Sequence, residues 1–264
     1  MLRINGQLVD VRHYPDGTPL LQLPFPQCLS SGNVAGIDWR FENNEELTVL
    51  IFITRHLQRL NYEVRLFMPY IPNARMDRVK DSGDVFTLKY FAEVINFLNF
   101  KTVTVLDPHS SVSTALIDRL QVVTPEKYVM EAVRRIGEQP VFYYPDEGAM
   151  KRYSTLLEGP YLFGVKTRDW KKGEIKTLET IGELELIKDN TILIVDDISS
   201  KGGTFYYAAK QLKKLGAGKI YLFVTHCENT IRKGNILSTD YIEKVFTTDS
   251  IYTLDEKKVE VIAL

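Results

Sequence analysis

Apolar residues follow two alternating rhythms along this chain. Short, mostly branched apolar runs predict strands at 35–41, 64–69, 102–106, 121–123, 140–144, 160–165, 191–195, 219–225, 243–247 and 258–263. Between most of these runs, apolar positions return every three or four residues. That spacing predicts helices over 45–60, 85–98, 111–120, 126–136, 147–157 and 204–215. In the first helix Leu47, Leu50, Ile51, Ile53, Leu57 and Leu60 form one stripe, and Asn43 and Asn44 stand where a cap is needed. Residues 2–12 and 18–23 read as a hairpin around Tyr14-Pro15-Asp16-Gly17. Continuous apolar strands joined by helices are buried on both faces of parallel sheets, so the fold class is α/β. One β/α set ends near 118–126 and a second begins. Two halves are therefore expected, 1–120 and 121–264, each a mainly parallel sheet flanked by helices. The polar stretch 166–176 reads as a flexible charged loop.

Composition narrows the classes. With 33 basic against 34 acidic side chains among 264 residues, no general nucleic-acid or acidic-membrane surface is expected. The start, Met1 to Gly6, lacks the apolar core of a signal peptide, and every apolar stretch is too short to span a bilayer. Cys28 and Cys227 make neither a disulfide framework nor a metal-ligand spacing. Both are expected as free thiols in a reducing compartment, which points to the cytoplasm.

The chemistry concentrates at 191–204. A buried apolar strand runs into Asp196 and Asp197, then the loop Ser199-Ser200-Lys201-Gly202-Gly203, then Thr204 at the start of a helix. Parallel sheets bind ligands beyond the carboxyl ends of their strands. A glycine-rich turn ahead of a helix offers backbone N–H groups and the positive end of the helix dipole to a phosphate. Paired carboxylates suit sugar hydroxyls, or a Mg²⁺ shared with phosphate. The plainer alternative is an ordinary strand-to-helix turn whose acids cap the helix.

This segment resembles the ribose-5-phosphate signature shared by phosphoribosyltransferases and phosphoribosyl pyrophosphate (PRPP) synthetases. Six further segments follow the PRPP synthetase order. His13-Tyr14-Pro15-Asp16-Gly17 resembles that family's Phe-x-Asp-Gly-Glu hairpin. Pro69-Tyr70-Ile71-Pro72-Asn73-Ala74-Arg75-Met76-Asp77-Arg78 resembles its ATP loop, and Asp107-Pro108-His109-Ser110 its Asp-Leu-His-Ala. Pro145-Asp146-Glu147-Gly148 is similar to Pro-Asp-x-Gly, Val165-Lys166-Thr167-Arg168 to the catalytic Lys-Arg-Arg, and Thr225-His226 to the Thr-His after the next strand.

The resemblance implies two phosphoribosyltransferase-like domains and a ribose-phosphate diphosphokinase. Such an enzyme moves the β,γ-diphosphoryl group of ATP to the anomeric hydroxyl of ribose 5-phosphate. It implies Asp16, Arg75, Asp77, Arg78 and His109 for ATP, and Lys166 and Arg168 for catalysis. Asp196, Asp197, Ser199, Ser200, Lys201, Gly202, Gly203 and Thr204 fall to the ribose phosphate. Mg²⁺ is the implied cofactor, on His109 and Asp146. Because the hairpin of that family reaches a neighbour's nucleotide, a homodimer or higher homo-oligomer is expected.

Each residue also has a plain reading: Arg75 and Arg78 as a solvated loop, His109 as a satisfied strand-end histidine, Asp146 as a helix cap, Asp16-Gly17 as a turn. The chain also departs from the family. Relative to its pattern, a first strand–helix unit and a last helix are missing. Thr18 stands for Glu and Met76 for Gln. Ser200 and Lys201 replace an Asp and a Thr in Asp-Asp-x-x-Asp-Thr-x-Gly-Thr. Exchanging a negative for a positive charge suits additional phosphate, so ADP-ribose is a second candidate acceptor. A PRPP-consuming phosphoribosyltransferase and a non-catalytic regulatory homologue complete the alternatives.

Overall fold

The computed structural model describes residues 1–23, 33–168 and 175–264, with backbone alone over 166–168 and 175–178. It divides into two compact units, Met1–Thr124 and Pro125–Leu264.

The first unit holds β1 (Leu2–Ile4), β2 (Gln7–Leu8), β5 (Val34–Trp39), β6 (Glu63–Phe67), β7 (Val103–Leu106) and β8 (Leu120–Val123) in one sheet, in the order β2-β1-β5-β6-β7-β8. The last four are mutually parallel, and β1 runs antiparallel to β5. α1 (Glu45–Arg59), α2 (Thr87–Phe97) and α3 (Ser111–Leu116) make the crossovers. Val49, Leu50, Ile53 and Leu57 bury the inner stripe of α1 against Ala35, Ile37 and Val64 of the sheet, in one continuous cluster. Each such aliphatic side chain taken from water contributes roughly 1.5–3 kcal/mol, so this stripe outweighs any single polar contact in the unit. The predicted cap is made by Asn43, whose Oδ1 accepts from the amides of Glu45 and Glu46 at 3.0 and 3.4 Å. Leu60, assigned to the stripe, lies beyond the helix and is exposed.

Two departures have local causes. The predicted strand 2–12 breaks at Asn5-Gly6, where both residues take positive φ (45° and 84°) and β1 turns back onto β2. Asn-Gly is the pair that a tight hairpin turn requires. A second hairpin, β3 (Val11–His13) with β4 (Pro19–Leu21), carries the predicted Tyr14–Gly17 turn. The helix predicted over 111–120 stops at Leu116 because the Asn96 side chain takes its end. Asn96 Nδ2 donates to the Leu116 carbonyl at 2.8 Å, and its Oδ1 accepts from the Asp118 amide at 2.9 Å.

Among its described residues the second unit carries a seven-stranded sheet in the order β11-β10-β9-β12-β13-β14-β15, parallel except for β11. These are β9 (Val141–Tyr144), β10 (Tyr161–Arg168), β11 (Ile175–Ile181), β12 (Ile192–Ser199), β13 (Ile220–Cys227), β14 (Lys244–Thr248) and β15 (Val259–Ile262). α4 (Glu126–Ile136), α5 (Glu147–Tyr153) and α6 (Gly203–Lys214) flank the sheet. Ile192 to Val195 are fully buried, as a strand covered on both faces demands. α4 ends on Gly137 in the left-handed region, the conformation glycine adopts without a Cβ penalty.

The stretch 166–176, expected as a flexible loop, begins and ends as strand. β10 continues to Arg168 and pairs antiparallel with β11, whose Ile, Thr and Leu content favours a pleated backbone. Residues 169–174 lie outside the described residues, as does Cys28. The α/β architecture with mostly parallel sheets is as expected.

Candidate functional site

The acceptor candidates sit at the carboxyl edge of the second unit's sheet. β12 does not stop at Val195, as the apolar run predicted. It runs through both carboxylates to Ser199, because β13 is also longer than expected and Ile198 and Ser199 pair with His226 and Cys227. Asp196 and Asp197 are therefore strand residues. Adjacent strand side chains point to opposite faces. Asp196 is drawn back along the chain where its Oδ1 accepts from the Asp197 amide at 3.0 Å. Asp197 is buried, and its Oδ2 lies 3.3 Å from Nη1 of Arg152 on α5. Burial pushes the Asp196 carboxyl well above the usual range, and the neighbouring charges of Asp197 and then Asp146 push the same way.

Asp146 follows β9, the strand beside β12, and caps α5 by accepting from the Ala149 amide at 3.0 Å. The cap reading of Asp146 is thus correct. It does not exclude a metal role, because the carboxylate also acts electrostatically on Asp196. Among the described residues no three His, Cys, Asp or Glu side chains are grouped to hold a metal by themselves. The oxygen donors of Asp146 nonetheless suit Mg²⁺, which takes most of its ligands from water and phosphate.

The loop after β12 is braced from one side. Gly202 has φ +73°, and a Cβ there would lie 2.4 Å from Cγ1 of Ile236. A Cβ on Gly234 would lie 1.8 Å from the Lys201 carbonyl oxygen. The segment after β13 thus presses directly on the loop, and the Glu228 amide donates to the Ser199 carbonyl at 2.8 Å. At Gly203, by contrast, nothing among the described residues lies within reach of a Cβ. Gly203 opens α6, whose N-terminus carries no side-chain cap bond. Such an end, with an open glycine and backbone N–H groups, suits an anion. Ser199 is buried, Ser200 and Thr204 are half-buried, and Lys201 is exposed.

Gly234, Ile236 and Arg152 carry no motif signal of their own, and the reading of the sequence missed all three. For Gly234 only the glycine itself was available as a hint. Thr225 and His226 lie inside β13, not after it. His226 is buried with its Nδ1 2.8 Å from the Ser250 hydroxyl.

The ATP candidates fall in the first unit. Asp77 and Arg78 lie in the loop beyond β6, and His109 lies just beyond β7, at the carboxyl edge of that sheet. Arg78 Nε donates to Asp77 Oδ1 at 3.0 Å. Burial works against the charge on Asp77, but Arg78, the Ser110 hydroxyl and the His109 imidazole together bring its carboxyl below the usual range. Asp77, Arg78, His109 and Ser110 therefore form one group. Arg75 is exposed in the same loop. Asp16 is not part of that group: its Oδ1 accepts from the Thr18 amide and hydroxyl at 3.0 and 2.7 Å, closing its own turn. The backbone of Lys166 and Arg168 lies on β10 opposite Leu178 and Ile175.

The phosphoribosyl transferase domain family matches residues 150–252, from α5 through the loop at 199–204 to β14. A phosphoribosylpyrophosphate synthetase structure from Mycobacterium smegmatis superposes with a TM-score of 0.76 at 17% identity, over 97% of this chain and 86% of that one. Together these define a phosphoribosyltransferase-type fold. Ribose-phosphate pyrophosphokinases from two archaea align along most of the sequence. That of Sulfurisphaera tokodaii is 24% identical over 98% of this chain and 90% of its own length, and that of Thermococcus kodakarensis 26% identical over 83% and 77%. The chain is thus similar to the ribose-phosphate pyrophosphokinases along most of its length, which supports an enzyme of that type. No helix of the described residues is long and apolar enough to cross a membrane.

Proposed function

We propose that this enzyme makes PRPP and AMP from ATP and ribose 5-phosphate, with Mg²⁺. The observation that carries this reading is the acceptor half. Two carboxylates lie at the end of β12 beside Asp146, and they lead into an open-glycine helix N-terminus held in place by Gly234. In this reading Asp196 and Asp197 hold the ribose 2- and 3-hydroxyls. The backbone of Ser200 to Thr204 takes the 5-phosphate, and the 1-hydroxyl is left to react. Its oxygen bonds to the β-phosphorus and the bond from that phosphorus to the α,β-bridging oxygen breaks. AMP leaves and the hydroxyl proton is released.

Little covalent work falls to the protein, so positioning and charge neutralisation carry catalysis. Arg75 and Arg78 hold triphosphate oxygens through planar donor forks, with Asp77 orienting Arg78. Asp146 and His109 are the side chains assigned to the Mg²⁺ complexes, which when bound neutralise phosphate charge. Lys166 and Arg168 meet the charge developing on the transferred group. Asp16, on its exposed hairpin, serves a neighbouring copy, so the working form is a homo-oligomer in the cytoplasm.

A second acceptor rests on one observation. Lys201 is exposed at the turn where the family has a neutral residue, which favours a longer phosphate such as that of ADP-ribose. Incubating the protein with ATP, Mg²⁺ and either sugar distinguishes the readings. AMP release that depends on ribose 5-phosphate is expected. Release with ADP-ribose alone reassigns the acceptor, and no AMP with either overturns diphosphoryl transfer.

A further inference from the structure

We infer that Arg152 is a positioning residue for the acceptor: it fixes the orientation of Asp197 and so sets how strictly the enzyme demands one ribose hydroxyl. This rests on the proposal that Asp197 meets the ribose. A carboxylate as buried as Asp197 needs a partner, and a partner that is itself confined also fixes direction. Arg152 is confined. Its guanidinium carbon lies 5.5 Å from the centre of the Tyr153 ring, and its Nη1 is 3.5 Å from the Tyr153 hydroxyl and 3.3 Å from Asp197 Oδ2. Tyr153 is fully buried and packs against Tyr144, at the end of β9, with ring centres 6.2 Å apart. The ring that backs Arg152 is therefore anchored in the core.

The helix has a divided task. Asp146, at the start of α5, acts on Asp196, while Arg152, near its end, grips Asp197. One short element thus addresses both carboxylates, from opposite ends and with opposite charge. A guanidinium presents a rigid planar fork and an ammonium does not, so lysine keeps the charge at this position without the direction.

The test measures binding and turnover with ribose 5-phosphate, 2-deoxyribose 5-phosphate and 3-deoxyribose 5-phosphate, for wild type, Arg152→Met and Arg152→Lys. Wild type is expected to disfavour each deoxy sugar. Arg152→Met should weaken ribose 5-phosphate roughly tenfold while leaving one deoxy sugar nearly unchanged, which erases the preference for that hydroxyl alone. Arg152→Lys should restore the melting temperature but only part of the preference. The KM for ATP should not move.

Equal weakening toward all three sugars would make Arg152 structural and overturn the inference. So would an unchanged preference in Arg152→Met. If wild type binds the sugar with an Arg152-dependent hydroxyl preference yet releases no AMP, diphosphoryl transfer falls and this inference stands. If it binds none of the sugars, both fall.

Discussion

Asp196 is kept where burial and two like-charged neighbours, Asp197 and Asp146, all oppose its ionisation. A carboxyl group whose folded value is raised favours the fold only while protonated. That contribution is complete below the unfolded value near 3.9 and is lost as the pH rises through the folded value. By pH 7 the ligand-free protein has therefore given up part of that contribution, a cost that binding chemistry needs and folding does not. Asn at this position keeps an oxygen for the Asp197 amide and removes the charge. Asp196→Asn is expected to raise the melting temperature at pH 7 by roughly 2–4 °C, the gain shrinking as the pH is lowered toward 4. The same change should cut kcat/KM for the sugar about 10- to 100-fold. Thermal melts from pH 4 to 8 check the first part. A gain that grows on acidification would show that charge is not what Asp196 contributes.

Among the elements, α5 joins fold and chemistry most tightly, because Asp146 is both its cap and a proposed metal ligand. The two roles separate by substitution. Asparagine caps about as well as aspartate but lacks the negative charge, and alanine does neither. Asp146→Asn is expected to melt close to wild type while losing most of its turnover. Asp146→Ala should lose the turnover and a further 0.5–2 kcal/mol or so of stability, read from denaturant titrations. A fully active Asp146→Asn would leave the cap as the whole role. How much of this the sequence shows follows from range. The helix over 126–136 and the buried run of β12 are set by near neighbours, and both read directly from the chain. The early end of α3 is imposed by Asn96 from another helix, and the extension of β12 past its carboxylates by β13. A one-dimensional pattern contains neither. The same limit hid Arg152, Gly234 and Ile236, which matter only through what they touch.

For the molecule as a whole, the proposed labour divides by unit: nucleotide residues in Met1–Thr124, acceptor residues in Pro125–Leu264. Motif order alone gave this division, since Asp-x-His and Pro-Asp-x-Gly are legible as strings, whereas Asp77 acting with His109 is visible only in three dimensions. Arg78 and Asp197 test the division. Arg78 is exposed and held by Asp77, so removing its side chain takes a donor fork from the nucleotide without opening the core. Asp197→Asn keeps the volume at the acceptor and removes the charge that Arg152 engages. Arg78→Ala is expected to raise the KM for ATP about tenfold with the sugar KM unchanged, and Asp197→Asn to do the reverse. The two sites share no proposed partner, so the double variant should show the sum of the two effects in log kcat/KM. Initial-rate kinetics with each substrate varied in turn measures all three. If Arg78→Ala moved the sugar KM as far as the ATP KM, the assignment of substrates to units would fail, whichever ribose proves to be the acceptor.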